Sequence, residues 1–303
     1  MKVCETIALD ISMRLIALTT LVMIAFAANS ILGRWAIGPG HMDATGFGLL
    51  RLASGAVMLW ALCLVQGQRP TDGWRRTLAG GASLTLYMVG FSVAYVALDA
   101  GLGALVLFGV VQVSMFGWSL VRREPVSTVQ ILGACVALAG LAYVVWPGGE
   151  TAAPLWAVLL MGAGGLGWGI YSLVGRGTTT PLASSAMNFL LATGMILPVV
   201  WLLNGGAVVT AFGCLLAVIS GAVTSGLGYA LWYRVLPQIP APVAATVQLC
   251  VPVIAIFAGA VILGEPVGAR LLLGTAAVLG GIAAVILCPA RPRRRVPEEQ
   301  GLS

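Results

Sequence analysis

The chain has 303 residues, of which 59% are hydrophobic and only 9% are charged. Its mean hydropathy is +1.01, and a soluble protein of this length could not bury so much apolar surface. The formal net charge of +6 comes from basic residues spread over short polar breaks, which indicates membrane topology and not a nucleic-acid-binding face. The six cysteines have neither metal-ligand nor disulfide spacing, so we expect no metal site and no cofactor.

Ten apolar stretches predict an all-α integral membrane protein with ten transmembrane helices. A spanning helix needs about 20 apolar residues, and breaks that carry charge, proline or glycine separate the stretches. Between the stretches the chain is too short for a soluble domain. In chain order, the predicted spans are 13–33, 46–66, 76–98, 100–121, 127–146, 153–174, 182–203, 210–233, 242–263 and 268–288.

The first span has a second interpretation, because Ala25-Phe26-Ala27 fits a signal-peptidase site after an apolar core. Against cleavage, Ser30 and Gly33-Arg34 match Ser172 and Gly175-Arg176 in the sixth span. A first span with a counterpart in the second half of the chain is expected to be retained.

The distribution of lysine and arginine predicts that both termini lie in the cytoplasm. With the N-terminus inside, thirteen basic residues fall in cytoplasmic segments, whereas only Arg34 and Arg270 fall in outer loops. An excess of basic residues marks the cytoplasmic side of a membrane protein. We therefore expect a multi-pass protein of the cell (inner) membrane, with residues 289–303 as a cytoplasmic tail.

Two copies of a Glu-Pro-Val turn indicate an internal duplication. Glu124-Pro125-Val126 is followed 141 residues later by Glu265-Pro266-Val267, each in a break between two spans. Other pairs fall near the same offset: Phe116 with Phe257, Gly133 with Gly274, and Gly140 with Gly281. The two halves, 13–146 and 153–288, hold five spans each, and an odd number inserts them upside down relative to each other. Two inverted five-helix repeats around a central cavity are typical of transporters.

Short motifs at corresponding places in the two halves carry a family resemblance. They are Gly226-Leu227-Gly228-Tyr229-Ala230-Leu231-Trp232-Tyr233, Ala244-Ala245-Thr246-Val247-Gln248, Val251-Pro252-Val253 and Leu263-Gly264-Glu265-Pro266, with the weaker Arg51-Leu52, Ala94-Tyr95 and Arg123-Glu124-Pro125 in the first half. Over residues 15–288 the chain resembles the ten-helix, two-EamA-domain branch of the drug/metabolite transporter superfamily. This resemblance implies an inner-membrane carrier, often an exporter of amino acids or related metabolites. Members often have a proline in both the fourth and ninth helices, whereas here Pro252 is matched by Val111.

Polar and aromatic residues within the spans are the candidates for binding a solute. All ten carboxylates fall in tails, loops or helix ends, so we expect a neutral, zwitterionic or apolar-aromatic solute held by hydrogen bonds and stacking. Interhelical hydrogen bonds or interfacial anchoring are the structural alternatives. The candidates are Gln112, Gln248, Asn29, Tyr95, Trp168, Tyr171, Tyr229 and Trp232.

Charged residues at the predicted outer ends of helices are candidates for a gate. In one interpretation, Arg51 or Arg34 forms an ion pair with Asp99 that breaks as the cavity opens. In the other, all three are ordinary charges at the membrane interface, and the Arg51 side chain snorkels outward. Pro252 inside the ninth span is expected to free a backbone carbonyl and to act as a hinge.

The chain contains no Gly-Lys-Ser/Thr phosphate loop, so we expect transport to run downhill or to draw on a gradient. The sequence predicts a secondary-active exporter of a small neutral or zwitterionic solute, working by alternating access as a monomer in the bilayer. An importer of a similar solute is the first alternative. A membrane enzyme is a less favoured alternative, because it would need clustered acids or a Ser-His pair. A non-transporting scaffold or receptor is another, and only a flux assay distinguishes it from a transporter.

Overall fold

The computed structural model of the chain describes residues 2–122, 126–146, 153–176, 178–203, 208–235, 238 and 247–288, without the side chains of residues 2–12 and 233. The predicted tail 289–303 and the Glu124 turn lie outside the described residues. The helices are α1 Lys2–Ile37, α2 Ala44–Gln66, α3 Trp74–Ala94, α4 Ala100–Val121, α5 Thr128–Val145, α6 Leu155–Gly175, α7 Pro181–Leu203, α8 Ala211–Val218, α9 Gly228–Val235, α10 Cys250–Leu263 and α11 Ala269–Leu287, with a π-helix at Ile219–Leu227 between α8 and α9.

Within these residues, nine helical segments are long and apolar enough to cross a membrane. One of them is Ala211–Trp232, which combines α8, the π-helix and most of α9 and is called the eighth span here. The helix α10 is shorter and equally apolar; residues 239–246, where the ninth span is predicted to begin, lie outside the description. With α11 as the last span, the fold is the predicted all-α integral membrane fold.

Local capping residues determine where several helices begin and end. The Asp43 carboxylate accepts a hydrogen bond from the Gly46 N–H at 2.6 Å and so caps α2. Ser127 and Gln130 form a capping box at the start of α5. At the ends of α2 and α10, Gly67 and Gly264 have φ values of 63° and 68°, a left-handed conformation that glycine adopts without strain.

The helices pack in a regular set of neighbours. The pair α3 and α6, the pair α5 and α11, and the pair α2 and α7 form the most extensive contacts, and α4 packs on both α6 and α10. The first helix α1 contacts the eighth span and α10, and α2 also contacts the π-helix. The helices α1 to α5 therefore pack mainly against α6 and the helices that follow it, and less among themselves.

Glycines permit the close approach of α5 and α11. A Cβ atom on Gly133 would lie 2.6 Å from the Gly281 carbonyl oxygen, and a Cβ atom on Gly281 would lie nearer still to the Gly133 carbonyl oxygen. Gly140 and Gly274 face each other in the same way: a Cβ atom on Gly140 would lie 3.1 Å from the Gly274 carbonyl oxygen, and one on Gly274 would lie 3.2 Å from the Gly140 carbonyl oxygen. Small residues give such close contacts in lipid, where the hydrophobic effect does not hold helices together.

Large apolar side chains cover the outside of the bundle. Leu64, Val65, Trp201 and Val261 are each at least 78% exposed, and in a membrane protein the acyl chains cover such a surface. Among the described residues, the side-chain hydrogen bonds that join different helices lie near helix ends or in one cluster in the interior.

Candidate functional site

Asn29 is the centre of a buried hydrogen-bond network between α1 and the π-helix. Its side-chain oxygen accepts hydrogen bonds from the hydroxyls of Ser220 at 2.8 Å, Thr224 at 2.6 Å and Ser225 at 3.3 Å. A π-helix has a wider turn than an α-helix and frequently occurs at functional sites. Here three hydroxyls of one such segment converge on one amide.

Arg51 extends this network to α2 and α3. Its side chain is 0% exposed. Nη2 donates to the Tyr87 hydroxyl at 2.9 Å and to Ser225 Oγ at 3.2 Å, and Nε donates to Ser225 Oγ at 3.3 Å. The guanidinium carbon also lies 4.6 Å from the centre of the Phe91 ring, within cation–π distance. The network therefore joins Asn29, Ser225, Arg51 and Tyr87 from four spans.

Aromatic rings surround the network. Trp168 lies 5.2 Å from both Tyr87 and Tyr229, and 5.4 Å from Tyr171, measured between ring centres. Phe26 contacts Tyr229 at 5.7 Å. These rings come from α1, α3, α6 and α9, so the cluster belongs to both halves of the chain.

A small cavity of about 20 Å³ lies between these rings and the polar network. That volume has room for about one water molecule, so in this conformation the site is too small for an organic solute. The lining residues are Phe26, Asn29, Ser30, Tyr87, Phe91, Leu107, Phe108, Trp168 and Tyr229. A larger open cleft of about 1000 Å³ lies between the ends of α2, α3 and α7, but it contains none of the polar network.

The other predicted binding residues lie at different distances from this cavity. Tyr95 stacks edge-on against Phe91 at 4.7 Å, and Trp232 lies 6.1 Å from Phe26. Gln112 is half-buried and does not line the cavity; it lies one helical turn beyond Phe108 on the same face of α4. Gln248 is half-buried just before α10.

At the end of the bundle predicted to be outside, Arg34 and Glu265 join the two halves. Arg34 lies 3.6 Å from Asp99 and 3.6 Å from Glu265. Both oxygens of Glu265 accept from the Ala100 N–H, at 2.8 Å and 2.9 Å, at the start of α4, where the helix dipole favours a negative charge. Arg34 also donates to the Tyr95 carbonyl at 3.0 Å.

The structure differs from the sequence expectation at Arg51. Arg51 does not snorkel outward or pair with Asp99, because its side chain turns inward to Tyr87 and Ser225. Pro252 lies in the first turn of α10, just after a turn at Leu249 that separates α10 from the helical residues 247–248. Its role as a hinge stays a prediction.

Sequence reasoning missed Tyr87, Ser225 and the contact made by Glu265. Tyr87 lies within an apolar span, and Ser225 is one of several hydroxyl residues in its segment, so neither has a distinguishing local signal. The sequence places Glu265 in a break between two spans, and only the structure shows that it caps α4. Long-range packing alone selects these partners.

Replacing Asn29 by alanine is expected to reduce transport about tenfold, because the hydroxyls of Ser220 and Ser225 lose their common acceptor, and a buried hydrogen bond left unmade costs about 1–3 kcal/mol. Flux in proteoliposomes measures the effect. The control is Thr193→Val, since the Thr193 hydroxyl bonds the Phe189 carbonyl of its own helix. Equal losses in the two variants would contradict a special role for the network.

The comparisons with known proteins agree with this architecture. The EamA-like transporter family matches residues 155–287. The chain is 47% identical over 276 residues to the uncharacterized protein PA1977 of Pseudomonas aeruginosa, across 91% of this chain and 95% of that protein. It is 22% identical over 265 residues to the uncharacterized transporter YwfM of Bacillus subtilis, across 85% and 89% of the two chains.

A crystal structure that is 16% identical superposes with a TM-score of 0.67, covering 91% of this chain and 98% of that one. The fold is thus that of a multi-pass helical membrane protein with an internal polar and aromatic site. The chain belongs to the EamA-like transporter family, within the drug/metabolite transporter superfamily, and it is a membrane transporter.

Proposed function

We propose that the chain is a secondary-active transporter that exports a small neutral or zwitterionic organic solute, an amino acid or a related metabolite, by alternating access. The observation that carries the proposal is the small interior cavity between Asn29, Tyr87, Trp168 and Tyr229. Its walls come from helices of both halves, so a movement of one half against the other would open it. Aromatic walls with a few convergent polar groups are typical of sites for small organic molecules.

The pairing of helices supports two inverted repeats, 13–146 and 153–288. If the halves are exchanged, the pair of the first and eighth spans becomes the pair α6 and α3, and the pair α1 and α10 becomes α6 and α4; each of these pairs is in contact. The pairs α2–α7, α4–α10 and α5–α11 map onto themselves. An approximate two-fold axis in the membrane plane relates halves in this way.

The contacts at the predicted outer end support a gate. Arg34, on α1, holds Asp99 and Glu265 together with the start of α4. When the outer end opens, these contacts must separate, so Arg34, Asp99 and Glu265 are the residues that we assign to the outer gate. Since Arg51 lies in the interior, it is assigned to the site and not to this gate.

The remaining parts of the proposal rest on the sequence. The excess of basic residues on one side supports an inner-membrane protein with both termini in the cytoplasm. Ten spans in one chain can supply a complete pathway, which favours a functional monomer. We also expect no cofactor, no nucleic-acid partner and no enzymatic activity. The direction of export follows from the family resemblance.

The experiment compares metabolites in the cytosol and the medium of cells that overexpress the wild type, Asn29→Ala or Gln112→Ala at equal levels. We expect a solute to accumulate outside with the wild type and to stay inside with Asn29→Ala. A similar loss with Gln112→Ala would extend the pathway along α4 toward the cytoplasm. Accumulation inside would identify an importer, and no difference for any metabolite would refute transport of this class of solute.

A further inference from the structure

We propose that Arg51 binds the carboxylate group of the transported solute, so that the substrates are organic carboxylates with an aromatic or apolar body, including amino acids in their zwitterionic form. This inference rests on the proposed function, because it assigns the chemical class of the solute that the cavity accepts. It follows from the charge of Arg51, from its free hydrogen-bonding capacity and from its position beside the cavity.

Arg51 carries a buried positive charge without a carboxylate partner in the described part of the chain. Its side chain is 0% exposed, and the ion pairs among the described residues involve Arg34 and Arg76. The partners of Arg51 are the neutral hydroxyls of Tyr87 and Ser225. A buried charge without a counterion is strongly disfavoured, and an ionisable residue within a membrane usually marks a substrate or ion pathway.

The guanidinium has a free edge. Nε and Nη2 donate hydrogen bonds, whereas Nη1 is shielded from solvent and has no hydrogen-bond partner among the residues that the structure describes. An arginine presents its N–H groups in a planar fork that matches the two oxygens of a carboxylate. A carboxylate that reaches Nη1 would supply both the missing acceptor and the missing negative charge.

The surroundings of Arg51 are the walls of the cavity. The guanidinium stacks on Phe91 and Tyr87, with Cζ at 4.6 Å and 5.4 Å from the ring centres, and both rings line the cavity. Ser225, its second partner, also bonds Asn29, which lines the same cavity. A solute in an opened cavity would thus place its charged group toward Arg51 and its body against the rings of Trp168 and Tyr229.

The buried charge of Arg51 narrows the class of solute that we expect. The sequence places no acid within the spans, and on that ground it predicts a neutral or zwitterionic solute. The structure adds an interior cation, so a solute that lacks a negative group leaves Arg51 uncompensated, and a cationic solute is repelled. Among the solutes of the proposed function, the zwitterionic ones are therefore preferred over the neutral ones.

The test uses the purified full-length protein in detergent and pairs of ligands that differ only in charge: phenylacetate and phenylacetamide, indoleacetate and indoleacetamide, and phenylalanine and its amide. Thermal stabilisation and tryptophan fluorescence, to which Trp168 contributes, report binding. We expect at least one carboxylate to bind about tenfold or more tightly than its amide, since hydrogen bonds to charged partners are roughly twice as strong as neutral ones.

Two variants assign this preference to Arg51. Arg51→Met keeps an unbranched, flexible side chain but removes the guanidinium and its charge, so it should bind each acid and its amide equally. If that variant does not fold, Ser225→Ala serves instead, because it removes a neutral partner, leaves the charge and should keep the preference for the carboxylate. Preference retained in Arg51→Met, or lost in Ser225→Ala, would overturn the assignment.

Two outcomes with the wild type would also overturn it. One is equal binding of each acid and its amide, or no binding by any carboxylate. The other is stabilisation by chloride or phosphate but not by the organic acids, which would indicate a site for an inorganic anion. A carboxylate preference without flux in proteoliposomes would support the subsite and refute the proposed transport, so the failures of the two proposals are distinguishable.

Discussion

Replacing Glu265 by glutamine is expected to abolish the dependence of transport on external pH and to leave a low rate at every pH. Glu265 lies in the loop between α10 and α11, where both carboxylate oxygens accept from the Ala100 N–H and Arg34 lies at 3.6 Å. Glutamine keeps an acceptor for that N–H but carries no charge, so the contact at the outer end remains closed without the cost of burying a carboxylate.

The sign follows from the pKa of Glu265. Burial raises this pKa above its ordinary value and the Asp99 carboxylate adds to the effect, although the Ala100 N–H and Arg34 act in the opposite direction. The closed state therefore binds a proton more tightly than an open state in which Glu265 is hydrated. Closure is favoured as the pH falls through the window between the two pKa values, and opening is favoured as the pH rises through it.

Within that window, each pH unit changes the equilibrium between closed and open states by up to about tenfold. Flux in proteoliposomes at a series of external pH values measures the effect. As a control, Asp99→Asn removes a neighbouring negative charge and keeps Glu265, so it should shift the profile to lower pH without flattening it. A pH profile of Glu265→Gln that coincides with that of the wild type would show that this carboxylate does not control the outer end.

Replacing Gly281 by alanine is expected to destabilise the protein by about 1–3 kcal/mol, the usual cost of overpacking. The new Cβ would meet the Gly133 carbonyl oxygen and the backbone of Ala137 on α5. Because these are backbone atoms, the two helices must separate, and the facing pair Gly140 and Gly274 would lose its close contact as well.

The neighbouring Gly280 is the matched control. A Cβ there would have no described atom within 4 Å, so Gly280→Ala should be neutral or stabilising by up to about 1 kcal/mol through helix propensity. The midpoint of thermal unfolding in detergent should therefore be clearly lower for Gly281→Ala than for Gly280→Ala. Equal midpoints would contradict the packing of α5 against α11 through glycine.

The spans were predictable because membrane insertion imposes a local rule. Each helix must present about 20 apolar residues to cross the hydrocarbon core, and that rule can be applied without knowledge of the neighbours. The predicted 46–66 and 182–203 agree with the helices Ala44–Gln66 and Pro181–Leu203 within a few residues. The π-helix at Ile219–Leu227 had no such signal.

The site was predictable only in part. Asn29, Trp168 and Tyr229 were selected as polar or aromatic residues within spans, and they line the cavity. Gln112 was selected by the same rule and lies outside it, because a side chain's identity does not tell which side of its helix meets the cavity. The role of each of these residues in transport stays a prediction.

Hydropathy, which can be read in the sequence, determined the membrane class and the spans, because it reflects the local cost of inserting a helix into lipid. The family followed from the resemblance of short motifs. Only the tertiary structure decided that Arg51 is an interior cation and that Glu265 caps α4. Residues 51 and 225, or 100 and 265, are far apart in the chain, and their contact depends on how whole helices pack. Packing in lipid depends on the fit of small residues and on interhelical hydrogen bonds. The partners in these contacts cannot be read from the local sequence around each residue.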